Sequence, residues 1–154
     1  MFSGEAAGEI ARIRARYPNA RSALLPVLHV AEGQYGWLSD EALHSVAREL
    51  DLPVALVRGV ASFHVLFRNE PAGRWRIQLC TNVACMLHDT GSLLKSLKER
   101  YGIEPDVTTA DGRFTLEIME CIGACDRAPA MLVNGEVHDG LTPERTFQIL
   151  DSCA

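Results

Sequence analysis

The chain has 154 residues, of which 47% are apolar and 23% charged, a balance that excludes disordered, collagen-like and low-complexity classes. Fifteen Lys and Arg against twenty Asp and Glu leave a formal charge of −5, which suits solubility and opposes binding to a phosphate backbone, so no nucleic-acid partner is expected. A chain of this length can bury roughly 70% of its unfolded surface, as one ordinary domain or two small ones.

In chain order, the first part reads as helices. Ile10, Ile13 and Tyr17 sit at the i, i+3, i+7 spacing of an amphipathic helix, and Glu5 and Glu9 precede the arginines without an apolar core segment, so the start is not read as a secretory signal. The longest apolar stretch, Ala23 to Ala31, is broken by Pro26 and His29 and falls well short of the roughly 20 residues of a membrane helix. Direct membrane insertion is not expected. Ser39 is a good N-cap, with Asp40 and Glu41 in the first turn and Leu43, Val46, Ala47 and Leu50 on one face. Asp51 and Pro53 are read as starting another helix, continued by Val54, Val57 and Ala61. The Asn69–Gly73 stretch, with Pro71 and Gly73, is a turn and divides the chain into 1–70, a helical bundle, and 71–154.

After the turn the period changes to two. Trp75, Ile77 and Leu79 alternate with Arg76 and Gln78 in a strand ending at Cys80. A helix is expected soon after Cys85, with Leu93, Leu94, Leu97 and Tyr101 on one face and Gly102 as its stop. A second strand, Phe114 to Ile118, follows the Asp111-Gly112 turn and runs toward Cys121. Ala130 to Val133, the Asn134-Gly135 turn and Val137 form a hairpin, and Thr142 with Pro143 caps a last helix. Strand, helix, strand, hairpin, helix outlines a thioredoxin-like α/β domain.

Four of the five cysteines form two pairs, Cys80 with Cys85 and Cys121 with Cys125, each at a strand's end. If the strands lie parallel and close, both loops leave the same sheet edge and four sulfurs can meet. Intervals of four and three residues are wider than the two-residue knuckles of structural zinc sites and suit a [2Fe-2S] cluster, which takes two thiolates on each of two irons. Spacing alone favours the cluster and leaves zinc, disulfides and free thiols open. A dithiol of the C-x-x-C type is absent. The helix after Cys85 is expected to aim its N-terminal dipole at the site, and Gly123 to let the second loop's backbone come close to the sulfurs. Cys153 reads as a free thiol on a fraying tail. His88 is at most a group near the site, and His29, His44 and His138 read as ordinary histidines. Pro129 stands where a cis bond after Ala128 is expected from the fold outline.

The segments CTNVAC at 80–85, DGRFTLEIMECIGACDRAP at 111–129 and LTPE at 141–144, with Gly36 to Ser39 reading G-W-L-S, resemble the small [2Fe-2S] subunit family of respiratory complex I, the thioredoxin-like ferredoxin of its NADH dehydrogenase module. The resemblance spans nearly the whole chain, including an N-terminal helical bundle like residues 5–67. It implies Cys80, Cys85, Cys121 and Cys125 as cluster ligands, and a partner flavoprotein subunit carrying FMN, NADH and [4Fe-4S] within a larger oxidoreductase. With no export signal read at the start, a reducing, cytoplasmic compartment is expected, peripheral on the cytoplasmic side of a membrane complex. Relatives with the same cysteine pattern serve NAD-linked formate dehydrogenases and hydrogenases; the T-N-V-A loop is closer to the complex I version. His64 stands where the family usually has tyrosine. No G-x-G-x-x-G or G-x-x-x-x-G-K-[ST] motif marks a nucleotide site on this chain, so it has no hydride acceptor. A flavin on another polypeptide must split the electron pair. The competing reading from another class is a zinc-stapled interaction module without redox chemistry.

Overall fold

The computed structural model describes residues 1–153. They form two compact units, Met1–Pro71 and a second from Ala72 onward.

The first unit is four helices: α1 (Gly4–Arg16), α2 (Ala20–Tyr35), α3 (Asp40–Leu50) and α4 (Val54–Phe63). Ser3, Asn19 and Ser39 cap the first three by accepting a backbone N–H with their side-chain oxygens. The expected apolar stripes become its core: Ile10 and Ile13 meet Leu24, Val27, Leu28, Leu43, Val46, Leu50 and Val57. Tyr17 lies outside it, at the exposed end of α1. Asp51 does not start a helix. It ends α3 in the left-handed region at φ 52°, its N–H on the Ala47 and Arg48 carbonyls, and Pro53 alone precedes α4. A short polar residue tolerates that backbone.

The second unit holds β1 (Trp75–Cys80), α5 (Val83–Leu87), α6 (Thr90–Tyr101), β2 (Phe114–Met119), a 3-10 turn (Cys125–Arg127), β3 (Met131–Val133), β4 (Glu136–His138) and α7 (Pro143–Ser152). The sheet order is β2-β1-β3-β4, with β1 parallel to β2 and antiparallel to β3. A parallel pair needs a crossover, supplied here by α5 and α6. Ile77, Leu79, Phe114, Leu116, Met131 and Val133 turn one sheet face onto Leu93 and Leu97 of α6 and Leu150 of α7. The alternation in β1 holds, but its polar residues are buried as well. The Arg76 guanidinium grips Glu117 through two bonds of 2.7 and 2.6 Å, and the Gln78 amide donates to the same carboxylate at 3.2 Å. Beyond β2, the Asp106 N–H donates to the Leu116 carbonyl at 2.7 Å and the Thr109 N–H to the Phe114 carbonyl at 2.8 Å.

Gly73 is more than a turn residue. A Cβ there would come within 2.9 Å of the Gly112 carbonyl oxygen and 3.1 Å of two further backbone carbons, so the chain entering β1 passes directly against the turn before β2. Cys153 is not on a fraying tail. It is buried, its carbonyl accepts from the Arg113 guanidinium, and its thiol donates to the Ile149 carbonyl at 3.4 Å. Burial raises its pKa.

Candidate functional site

β1 and β2 pair in parallel from Trp75–Phe114 through Cys80–Met119. Cys80 is the last residue of β1, and Cys121 follows the end of β2 by two residues, so both loops leave the carboxyl edge of two adjacent strands. The Cys80 N–H donates to the Ala130 carbonyl at 3.1 Å and the Thr81 N–H to the Met119 carbonyl at 2.9 Å. These bonds fix the start of the first loop against both neighbouring strands.

The expected helix after Cys85, with Leu93 and Leu97 inward and Gly102 as its stop, is α6, and a further short helix, α5, holds Cys85 itself. Asn82 caps α5, which runs through Cys85 to Leu87, and α6 begins only at Thr90. The N-terminus of α6 is capped by Asp89, whose carboxylate accepts the Ser92 N–H. A negative side chain therefore sits at the α6 N-terminus, whose first residue is Thr90. Gly123 is also needed for a different reason than close approach. It lies at φ 85° and no atom stands within 4 Å of a Cβ built there, so the loop requires a left-handed residue that glycine adopts without strain.

All four paired cysteines are free thiols; Cys80 and Cys85 are buried, Cys121 and Cys125 exposed. Burial pushes the Cys85 pKa up, reinforced by a hydrogen bond to the Cys80 sulfur and by the nearness of Cys125, while the Ala130 backbone N–H acts in the opposite sense. Among the described residues, no group of three or more His, Cys, Asp or Glu side chains is arranged to hold a metal ion. Cys80 and Cys125 both lie near enough to raise the Cys85 pKa further, and Cys121 stands on the same loop as Cys125 at the open side.

The second loop is anchored behind its cysteines. Arg127 pairs with Asp139 at 2.9 Å, its carbonyl accepts the Gly140 N–H at 2.7 Å, and the Pro129 carbonyl accepts the Leu141 N–H at 3.1 Å. The Ala128–Pro129 peptide is cis, in line with the fold outline. His88 is exposed. His64 lies edge-on to Phe63 and Phe67, and the His29 ring centroid is 4.6 Å from that of Phe67.

One residue that sequence reasoning misses is Thr90. It is 1% exposed, and its hydroxyl donates to the Cys85 carbonyl at 2.8 Å and faces the Cys80 carbonyl at 3.4 Å. A threonine opening a helix carries no signal in a sequence, because only the fold shows that it looks back at both cysteine backbones.

The family model described as thioredoxin-like [2Fe-2S] ferredoxin matches residues 10–154. The chain belongs to this family. A [2Fe-2S] cluster is accordingly the cofactor of this ferredoxin, and the donor set fits it: soft sulfur ligands, none tied up in a disulfide, on neighbouring loops. The ferredoxin is 42% identical over 144 residues to an NADH-quinone oxidoreductase subunit of Rhizobium meliloti (strain 1021), covering 94% of this chain and 86% of that one. It is 42% identical over 137 residues to the corresponding NADH-quinone oxidoreductase subunit of Mycobacterium bovis, covering 89% and 54%. With the mitochondrial NADH dehydrogenase [ubiquinone] flavoprotein 2 of Dictyostelium discoideum it shares 37% over 153 residues, 97% and 62%. Among solved structures it is similar to a NAD+-reducing [NiFe]-hydrogenase in the air-oxidized state, with TM-score 0.72 and 28% identity over 84% of this chain and 22% of that one. The chain therefore spans about half the length of the mycobacterial relative and about a fifth of the hydrogenase chain.

Proposed function

We propose that this ferredoxin is an electron-transfer subunit of an NADH:quinone oxidoreductase, that Cys80, Cys85, Cys121 and Cys125 hold its [2Fe-2S] cluster, and that it exchanges single electrons with the FMN of a partner flavoprotein subunit. The observation that carries the reading is the placement of all four thiols on the two loops at the carboxyl edge of β1 and β2. Relatives named as parts of NADH-quinone oxidoreductase and NADH dehydrogenase, matched over most of the chain, support it.

When bound, the cluster supplies one-electron transfer, with a reduction potential set by sulfur hydrogen bonds and solvent exposure. The chain's own residues do the rest. Cys80 and Cys85 offer their sulfurs from buried positions and Cys121 and Cys125 theirs from the exposed side, so one side of the site is shielded from water and the other open to a partner. The Ala130 N–H directs a positive dipole at the Cys85 sulfur, which favours added negative charge there. No acid or base is required, and the chain alone has no substrate site. The redox work is assigned to residues 71–154, and the helical residues 1–70 are a separate bundle. Among the described residues no helix is long and apolar enough to cross a membrane; the proposed location is cytoplasmic, peripheral to a membrane complex.

A second reading, a small subunit of a soluble NAD-linked hydrogenase or formate dehydrogenase, draws on the likeness to the NAD+-reducing hydrogenase. The test is purification of the chain with its natural companions, followed by visible absorbance, paramagnetic resonance after reduction by NADH, and identification of those companions. We expect a coloured protein, a reduced two-iron signal, a flavoprotein and quinone-reducing partners, with the signal lost on changing any one of the four cysteines to serine. A colourless chain holding one zinc would refute the redox reading; hydrogenase or formate dehydrogenase companions would establish the second.

A further inference from the structure

We propose that Thr90 is a positioning residue that holds the backbones of Cys80 and Cys85 at a fixed separation; the inference rests on these two cysteines being cluster ligands. They belong to different elements, Cys80 to the end of β1 and Cys85 to the middle of α5, and Thr90 to a third, the first turn of α6. Its hydroxyl has one hydrogen and faces two carbonyls, at 2.8 Å to Cys85 and 3.4 Å to Cys80. The shorter bond dominates and the longer is a weaker shared contact. The residue is 1% exposed, so water cannot take the place of a lost hydroxyl without opening the packing; the Cys85 carbonyl would keep only the His88 N–H at 3.1 Å, and the tie to Cys80 through α6 would be gone. A valine there conserves shape and deletes only this tie. The consequence is specific to the first pair of sulfurs, because the bond reaches no atom of the 121–125 loop.

The test uses the full chain loaded with its cluster, as Thr90→Val, Thr90→Ser and, as a control for exchanging a buried threonine, Thr146→Val. Thr146 is equally buried in α7 and its hydroxyl has no partner. The readouts are the rate at which an iron chelator bleaches the visible absorbance and the line shape of the reduced paramagnetic signal. We expect Thr90→Val to lose its cluster about tenfold faster than the unaltered chain, equivalent to about 1.4 kcal/mol, with a broadened signal. Thr90→Ser is expected to stay within about twofold, and Thr146→Val to match the unaltered chain. A Val variant that bleaches at the unaltered rate, a Ser variant as fast as the Val one, or a Val variant that fails to fold while Ser folds would each overturn the positioning role. If the unaltered chain itself takes no cluster, the reading of the function fails and this inference with it, an outcome separate from the other three.

Discussion

Replacing Gly73 by alanine tests how tightly β1 and β2 are locked at their entrance. The added Cβ would meet the Gly112 oxygen at 2.9 Å and the backbone carbons of Arg113 and Phe114 at 3.1 Å each. None of these is the tip of a flexible side chain, so relief requires moving the strand itself, and the Gly73 N–H is already held by the Thr115 hydroxyl at 2.7 Å. Crowding of this kind costs about 1–3 kcal/mol. Alanine narrows the unfolded ensemble and returns about 0.4–1 kcal/mol, leaving a net loss of about 1.3 kcal/mol between the middle values. Gly59, within α4, has no atom within 4 Å of a Cβ, and alanine there is expected to gain about 0.5–1 kcal/mol. Urea unfolding followed by tryptophan fluorescence separates the two, because Trp37 lies in the first unit and Trp75 in the second; a Trp37→Phe background isolates Trp75. The midpoint should fall for Gly73→Ala with the slope unchanged. A Gly73→Ala chain as stable as the parent, or more so, would refute the argument from backbone contact.

Arg113 reaches the end of α7, donating to the Leu150 carbonyl at 3.1 Å and to the Cys153 carbonyl at 3.0 and 2.5 Å. Arg113→Met is expected to cost about 1.5–3 kcal/mol and to expose Cys153 to alkylation, measured by mass spectrometry; unchanged labelling of Cys153 would count against the clamp. Burial, then the hydrogen bond to Asp151, holds the Tyr101 pKa up at about 12 from 10.0. Because the folded value lies above the unfolded one, the associated stability is complete below pH 10 and lost as the pH rises toward 12. Phenolate absorbance should show a late-titrating tyrosine, and Tyr101→Phe should flatten the stability profile over that interval.

Periodicity and turn chemistry make most of the fold legible. The apolar stripes of α3 and α6, the Asn134-Gly135 hairpin and the Thr142-Pro143 cap all express local physics that tertiary packing does not overrule. One expectation fails where a residue serves two neighbouring segments. Asp51 resembles a helix start because it precedes Pro53, yet its left-handed backbone ends α3. The short helix around Cys85 goes unsignalled because α5 is only five residues long, too short for a periodic pattern. Cysteine spacing is enough to nominate the candidate ligand set, whereas the roles of Gly73, Thr90 and Arg113 depend on contacts between different segments, which no local pattern encodes. Cys153 follows the same rule: nearness to the terminus says nothing of the clamp that Arg113 places on its carbonyl.

The hydrogen bonds that residues 106 and 109 make along β2 occupy polar groups on one flank of the sheet, while the other flank ends in β4, only three residues long and bearing Glu136 and His138. Neither margin offers a long run of unpaired amides to a foreign strand. Exposed β edges zip together indiscriminately; this sheet leaves the recognition of any neighbour to side chains, where shape and charge can tell the right one from the wrong one.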